Sequence, residues 1–262
     1  MNPTLDLLMN RKSIRNFSSQ PVTAEEKAAV LNAAMRAPTA GNMQLYSILE
    51  VEDQALKDRL AVTCDDQPFI ARSPWVLLFL ADYQRWYDGF RAFGVEEQCH
   101  AQSREMRSPA EGDLMLAFCD ALIAAQTAVV AAEALGLGSC YIGDIVEHYE
   151  DHRRLFSLPQ YAVPAALICF GHPTPEQAAR KLTSRFDPEF ILHRDSYTHL
   201  DPPALERMFH DRTAQLLKNP SRPEGIENAL QFNYVKKFSA EFTEEMTRSV
   251  RALLASWCAS GK

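Results

Sequence analysis

Residues 114–144 read LMLAFCDALIAAQTAVVAAEALGLGSCYIGD, and the folding of this stretch decides the architecture around it. From Leu114 to Leu135 nearly every residue is apolar or small. Asp120, Gln126, Thr127 and Glu133 are too few to make a solvated helical face. The pattern predicts a long helix buried almost all round. Its many alanines favour helix and let neighbouring elements approach closely, and Gly136 supplies the left-handed residue that stops it. Cys140-Tyr141-Ile142-Gly143 then reads as a short buried strand, closed by a glycine where backbone can come close to a ligand. An ordinary core helix followed by a turn fits the same residues.

Gly136-Leu137-Gly138 has the look of a dinucleotide fingerprint but stands in the wrong place. That fingerprint follows a strand and opens a helix, so that pyrophosphate meets the helix N-terminus, whereas these glycines close a helix. With no other candidate in the chain, a separate nicotinamide-binding domain is not expected. The chain also lacks a GxSxG elbow, a P-loop and an HExxH motif.

At 262 residues and 47% hydrophobic content the chain can bury a large core, and a single domain is expected. A formal charge of -7 argues against nucleic acid as a partner, since phosphate backbones need a broad basic surface. Any anion site must be local. The six cysteines are scattered singly, without metal or dithiol spacing, which points to buried reduced thiols and a cytoplasmic location. The N-terminus lacks the apolar core of a signal peptide, and Asp120 and Glu133 interrupt the longest apolar stretch, so no membrane partner is expected.

Arg11-Lys12-Ser13-Ile14-Arg15 packs three cations and a hydroxyl into five residues, either a solvated charge run or a phosphate site. Thr23 and Glu26 form a capping box that starts a helix reaching about Arg36, ended by Pro38. The loop 37–44 carries small and amide side chains. Tyr46–Glu52 alternates like a strand, Gln54–Thr63 reads as a helix, and Gln67 in the polar turn 65–69 offers an amide donor and acceptor. Trp75–Ala81 is a continuous apolar run, hence a central strand covered on both faces.

From 83 to 113 a helical excursion is expected, its aromatic stripe serving as core packing or a substrate wall. Ile145–Leu158 reads as a helix with His148 and His152 on one face, though zinc would need a third ligand. Val163–Phe170 is a further apolar strand, and Arg180–Phe186 a second small basic cluster. Glu241–Trp257 has one apolar helical face, suited to packing on its own core or on another subunit.

In this order the segments RKSIRNF, APTAGNMQ, DDQPFIARSPWVLLFLAD, ALGLGSCYIGD, LPQYAVPAALICFGHP and RFDPEFILHRDSY resemble the FMN-dependent nitroreductase family. The likeness is to its NADPH-preferring branch of oxygen-insensitive nitroreductases and flavin reductases, over Arg11 to about Tyr197. The resemblance implies an α+β sandwich, a mixed sheet flanked by helices around a long core helix. It also implies one FMN-binding domain over 1–262 and an intertwined homodimer whose arm spans about 200–262.

On that template Arg11, Ser13 and Arg185 hold the FMN phosphate, with Lys12 contributing through its backbone. Arg15 lies by the flavin ring, Gln67 bonds the ribityl or pyrimidine part, and Thr39 reaches the flavin from the partner subunit. Tyr141, Ile142 and Gly143 pass along the ring. The family Lys-Pro-Arg stands here as Thr183-Ser184-Arg185, so Lys181 is the candidate substitute for the missing lysine. The implied activity is ping-pong transfer from NADPH, or NADH, through FMN to nitroaromatics or quinones. No catalytic acid or base is assigned, and Arg222 is the candidate contact for the extra phosphate of NADPH. Flavin, azo or chromate reduction are alternatives on the same fold; a non-enzymatic flavin binder is the alternative of another class.

Overall fold

The computed structural model describes residues 2–259, and the chain forms two compact units: one running to Leu182 and resuming at Glu245, the other Thr183–Glu244. The larger unit holds α1 (Pro3–Asn10), α2 (Ala24–Ala34), β1 (Tyr46–Glu50), α3 (Gln54–Thr63), α4 (Phe69–Arg72), β2 (Trp75–Asp82), α5 (Gln84–Ala92), α6 (Val95–Ala101), α7 (Glu111–Ala134), β3 (Gly138–Ile142), α8 (Tyr149–Leu155), β4 (Ala162–Gly171) and α9 (Pro175–Ala179). The smaller holds α10 (Pro202–Leu217) and α11 (Ala229–Asn233), and α12 (Glu241–Trp257) starts in the smaller unit and continues in the larger.

The strands lie in the order β1-β2-β4-β3, each neighbouring pair antiparallel, and a parallel bridge from Ser13 to Ser139 extends the outer edge of β3. β2 is buried at every position because both faces are covered. Trp75, Leu77, Phe79 and Ala81 face the alanine side of α7, while Val76, Leu78 and Leu80 pack with Leu60, Phe69, Ile70 and Ile145. Pro164 lies inside central β4, where it has no N–H for the ladder. The register slips between Phe79 and Leu80 to accommodate it: Phe79 pairs with Ala166 and Leu80 with Pro164. The slip changes which residues face α7, from Val163 and Ala165 to Ile168 and Phe170.

α2 begins at the expected capping box, with Thr23 Oγ1 accepting from Glu26 N at 3.2 Å and Glu26 Oε2 accepting from Thr23 N at 2.8 Å. By length and composition α7 would suit a bilayer, yet its alanine face is built into the core against the sheet. It is not buried all round, as the sequence led us to expect. Met115, Leu116, Leu122 and Ile123 are 40–64% exposed, and with Cys119 they form one apolar stripe at helical spacing. The exposed stripe is as apolar as the buried alanine face, so hydrophobicity alone does not tell which side is covered.

Two further expectations are corrected and two open alternatives are decided. His148 is left-handed (φ 47°) and caps α8 from outside the helix, so it does not share a face with His152. His152 is buried between Ile145 O and Thr63 Oγ1, both at 2.8 Å. Cys119 and Cys258 are exposed and Cys99 is half-buried, although all six cysteines are unpaired. Of the aromatic stripe, Trp86, Tyr87 and Phe90 pack on the core while Phe93 is exposed. Finally, α12 packs on its own core: Trp257 is fully buried, donates to Ala110 O at 3.1 Å and meets Tyr161 edge-on.

Candidate functional site

The basic segment after α1 is laid along the outer edge of β3 by two glycines. A Cβ on Gly138 would come within 2.4 Å of Ile14 Cγ1, and one on Gly171 within 2.5 Å of Pro74 Cγ and 2.9 Å of Phe17. Only bare backbone at the ends of β3 and β4 leaves room for residues 14–17. Ile14 is buried there and its N–H donates to Ser139 O at 2.8 Å. Ile14 thus anchors inward, with Ser13 half-buried and Arg15 exposed on either side of it.

The chain beyond α9 closes the other flank. Lys12 Nζ donates to Ala178 O at 2.8 Å and Arg180 O at 2.7 Å, and the Arg180 guanidinium donates back to Ser13 O. The Lys12 ammonium is therefore spent on fixing backbone, which agrees with a role in shaping the segment. Arg11, Arg15 and Arg180 converge on Cys140: burial pushes its thiol pKa up, and all three guanidinium charges pull it back. Arg11 also faces Tyr141 and, with Lys12, Glu133, whose burial raises its carboxyl to about 7. Among the described residues none of Arg11, Lys12, Arg15 and Arg180 is ion-paired with a carboxylate. In a chain of net charge -7, this local excess of cations without carboxylate partners is a group of side chains that could hold an anion.

β3 supplies backbone donors next to it. In an antiparallel ladder N–H and C=O of one residue point the same way and alternate along the strand. Ser139 O is turned outward to Ile14, so the backbone groups of Tyr141, two residues on, also face the outer edge. Gly143 follows at the end, and a Cβ there would meet nothing within 4 Å. Nothing within the chain demands glycine at that point, which leaves the strand end open to a flat ligand.

Gln67 is tied to the turn that follows β3. Both of its amide hydrogens are used inside the chain, on Cys64 O at 2.8 Å and Asp144 Oδ2 at 2.7 Å, so it presents only its carbonyl oxygen, not the donor and acceptor the sequence suggested. Thr39 is likewise committed: its hydroxyl donates to Asp120 and accepts from Gln44 N at 2.7 Å. Asp120, 2% exposed in the middle of α7, also accepts from Ala40 N and Leu45 N, both at 3.0 Å. This one carboxylate shapes the whole loop 39–45. Lys181 and Arg185 are exposed, and Arg185 belongs to the smaller unit, where it bonds Thr183 Oγ1 at 2.7 Å. Arg222 is turned onto Ile226 O within that same unit.

The sequence profile of the nitroreductase family matches residues 8–172, a span that contains the basic segment, Thr39, Gln67 and β3. This chain belongs to the nitroreductase family. It is 31% identical to the oxygen-insensitive NADPH nitroreductase of Salmonella typhimurium over 79% of this chain and 80% of that one. It is 30% identical to an FMN reductase (NADPH) of Bacillus subtilis over 75% of each. Among solved structures, NfrA2 of B. megaterium superposes with a TM-score of 0.80 at 25% identity, covering 100% of both chains.

Within this nitroreductase-family fold, three residues that sequence reading passed over shape the site. Arg180 lay in a recognised basic cluster, but only its hydrogen bond to Ser13 O marks it out. Asp120 interrupts an apolar helix in the sequence, and a lone acid among alanines is the signal that points to it. Asp144 gave none, since its partner Gln67 is far away in sequence.

Proposed function

We propose that this protein is an FMN-dependent oxidoreductase that takes hydride from NADPH, or NADH, and delivers it to nitroaromatics, quinones or related acceptors. The observation that carries the reading is the convergence of Arg11, Arg15 and Arg180, without carboxylate partners, on the outer edge of β3. The chemistry of this donor set fits FMN. Guanidinium forks and the Ser13 hydroxyl suit a phosphate, the open end at Gly143 suits a planar ring, and the Gln67 carbonyl suits a ring N–H. Bound FMN would supply a two-electron centre that accepts hydride and passes it on.

The chain's own residues would bind and orient. Arg11, Ser13 and Arg180 hold the phosphate, with Lys12 fixing the backbone between them. Arg185 and Lys181 join on the family resemblance. Arg15 places a fixed positive charge near the pyrimidine side, where negative charge grows on reduction. The outward N–H groups of Tyr141 and Gly143, and Ile142 between them, border the ring without bulk. Thr39, its hydroxyl already engaged, would act through its backbone. Reductant and acceptor then use the same open face in turn, so no residue need serve as acid, base or nucleophile.

The chain works as a single FMN-binding domain, and two copies form a homodimer. The exposed apolar stripe of α7 supports this, since an unpartnered stripe on a central helix is costly in water. Unpaired cysteines support a cytoplasmic location. The names of the relatives favour nitro compounds and free flavin as acceptors.

The test is the visible spectrum of the purified protein before and after anaerobic NADPH, then nitrofurazone. Flavin bands that bleach and return are expected; a colourless protein that takes up no added FMN overturns the proposal. Replacing Arg11 and Arg185 together by alanine tests the phosphate assignment: FMN retention should fall at least tenfold, and unchanged retention removes those residues from it.

A further inference from the structure

The turn that carries Gln67 is tied in two places to the turn that follows β3. Asp65 and Asp66, just after α3, both have left-handed backbones, with φ of 59° and 47°. That conformation is strained for a non-glycine residue and persists where the surroundings impose it. Gln67 N then donates to Ala61 O at 2.7 Å, which folds the turn back onto α3. The facing element is the 3-10 turn Gly143–Val146. His152, fully buried, spans the two: its ring nitrogens meet Ile145 O and Thr63 Oγ1, both at 2.8 Å. The second tie is Asp144 Oδ2, which accepts from Gln67 Nε2 at 2.7 Å across 77 positions of sequence.

Because His152 already holds the two turns together, Asp144 has a narrower task. Gln67 is half-buried, and its amide carries two donor hydrogens and one acceptor oxygen. Cys64 O, 2.8 Å from Nε2, and Asp144 Oδ2 are both acceptors, so only one orientation of the amide satisfies them. The reverse orientation would set the amide oxygen against two other oxygens. Hydrogen bonds to an ionised acceptor are roughly twice as strong as neutral ones, which makes Asp144 the firmer of the two ties. The carboxylate also polarises the amide, so that the outward carbonyl becomes a better acceptor.

We propose that Asp144 is a positioning residue that sets cofactor specificity: by holding the Gln67 amide it aims the Gln67 carbonyl oxygen at the ligand and selects a flavin whose pyrimidine ring keeps its N–H. The proposal rests on the FMN reading of the site. A flavin has one such N–H, flanked by two carbonyl oxygens. The aimed carbonyl accepts from it, whereas a flipped amide would set donor against donor and could serve only the flanking oxygens. A methyl group on that ring nitrogen removes the donor and leaves the Gln67 oxygen unsatisfied. Without Asp144, Cys64 O is a single tie about which the amide can turn, and the selection fades.

The experiment is fluorescence titration of the apoprotein, at neutral pH, with riboflavin, with riboflavin methylated on its pyrimidine nitrogen, and with FMN as the control. Wild type should bind riboflavin about tenfold or more tighter than the methylated flavin, the factor that goes with one unmade hydrogen bond. Part of that ratio is the bulk of the methyl group, so the change between variants is the readout. Asp144→Ala should lower the ratio by about threefold or more, and Asp144→Asn should keep it within about twofold of wild type, because the asparagine carbonyl still accepts from Gln67. Gln67→Leu, with no amide to aim, should lower the ratio at least as far as Asp144→Ala, and combining the two changes should lower it no further. If the alanine variant does not fold, Asp144→Ser, too short to reach Gln67, takes its place. Equal affinity of wild type for the two riboflavins, a ratio that Asp144→Ala leaves unchanged, or one that Asp144→Asn fails to restore overturns the positioning role while the FMN reading stands. Failure to bind riboflavin and FMN alike fails the FMN reading, and this inference with it.

Discussion

Replacing Asp120 by alanine should be among the most destabilising single changes in this protein. The carboxylate accepts from Leu45 N and Ala40 N, both at 3.0 Å, and from the Thr39 hydroxyl. Leu45 is 1% exposed, so its N–H would be stranded away from water at a cost of about 2–3 kcal/mol. Ala40 and Thr39 are half-buried, and the Thr39 hydroxyl can turn to solvent, so together they add about 1–2 kcal/mol. Against this stands the relief of no longer burying a charge, worth about 1 kcal/mol or more. The stranded donors win, because alanine leaves them facing a cavity with no acceptor. A net loss of about 2–4 kcal/mol is a large share of the ~5–15 kcal/mol that holds a typical protein together. At about 2–4 °C per kcal/mol for a chain of this size, Tm should drop by about 5–15 °C. Thermal and urea unfolding followed by circular dichroism measure it, and limited proteolysis should show new cleavage in residues 39–45. A variant within about 1 °C of wild type, with that loop still protected, would refute the argument that Asp120 organises it.

Gly138→Ala should drive Ile14 off β3, costing about 1–3 kcal/mol of stability and weakening FMN retention about tenfold or more; equal FMN affinity would separate the glycine from the site. Glu133, with its pKa raised to about 7 from 4.5 in the unfolded chain, binds an extra proton when folded. Its contribution is full below about pH 4.5 and is lost as pH rises through about 7. Apoprotein Glu133→Gln should gain Tm over wild type at pH 8 and not at pH 5, and the opposite order would contradict the sign. Glu150 and Glu245 are held down to about 2 by hydrogen bonds to Arg248. Their stabilisation is present above pH 4.5 and lost as pH falls through about 2, so Arg248→Met should flatten acid unfolding in that window. An unchanged acid limb would show these exposed pairs contribute nothing.

Local physics made much of the fold legible. The Thr23 and Glu26 box starts α2, and the uninterrupted apolar run 75–81 could only be a strand covered on both faces. Misreadings arose where composition is silent about direction. The α7 stripe of Met115, Leu116, Leu122 and Ile123 is as apolar as the buried face, so its exposure depends on what packs nearby. His148 and His152 have helical spacing, but a left-handed residue at the helix start turns one of them away.

By itself the sequence determined the main elements of the larger unit, the order of the family's motifs, and the concentration of cations at residues 11–15, while the helix Pro202–Leu217 went unread. These follow from propensity, periodicity and capping, which act over a few residues. Only the tertiary structure decided that Arg180 joins those cations, that Asp120 builds the loop around Thr39, and that Asp144 holds the Gln67 amide. Such contacts join residues some 80 to 170 positions apart or depend on the hand of one turn. No local pattern encodes them, because a buried polar group takes whichever partner the packed chain brings within reach.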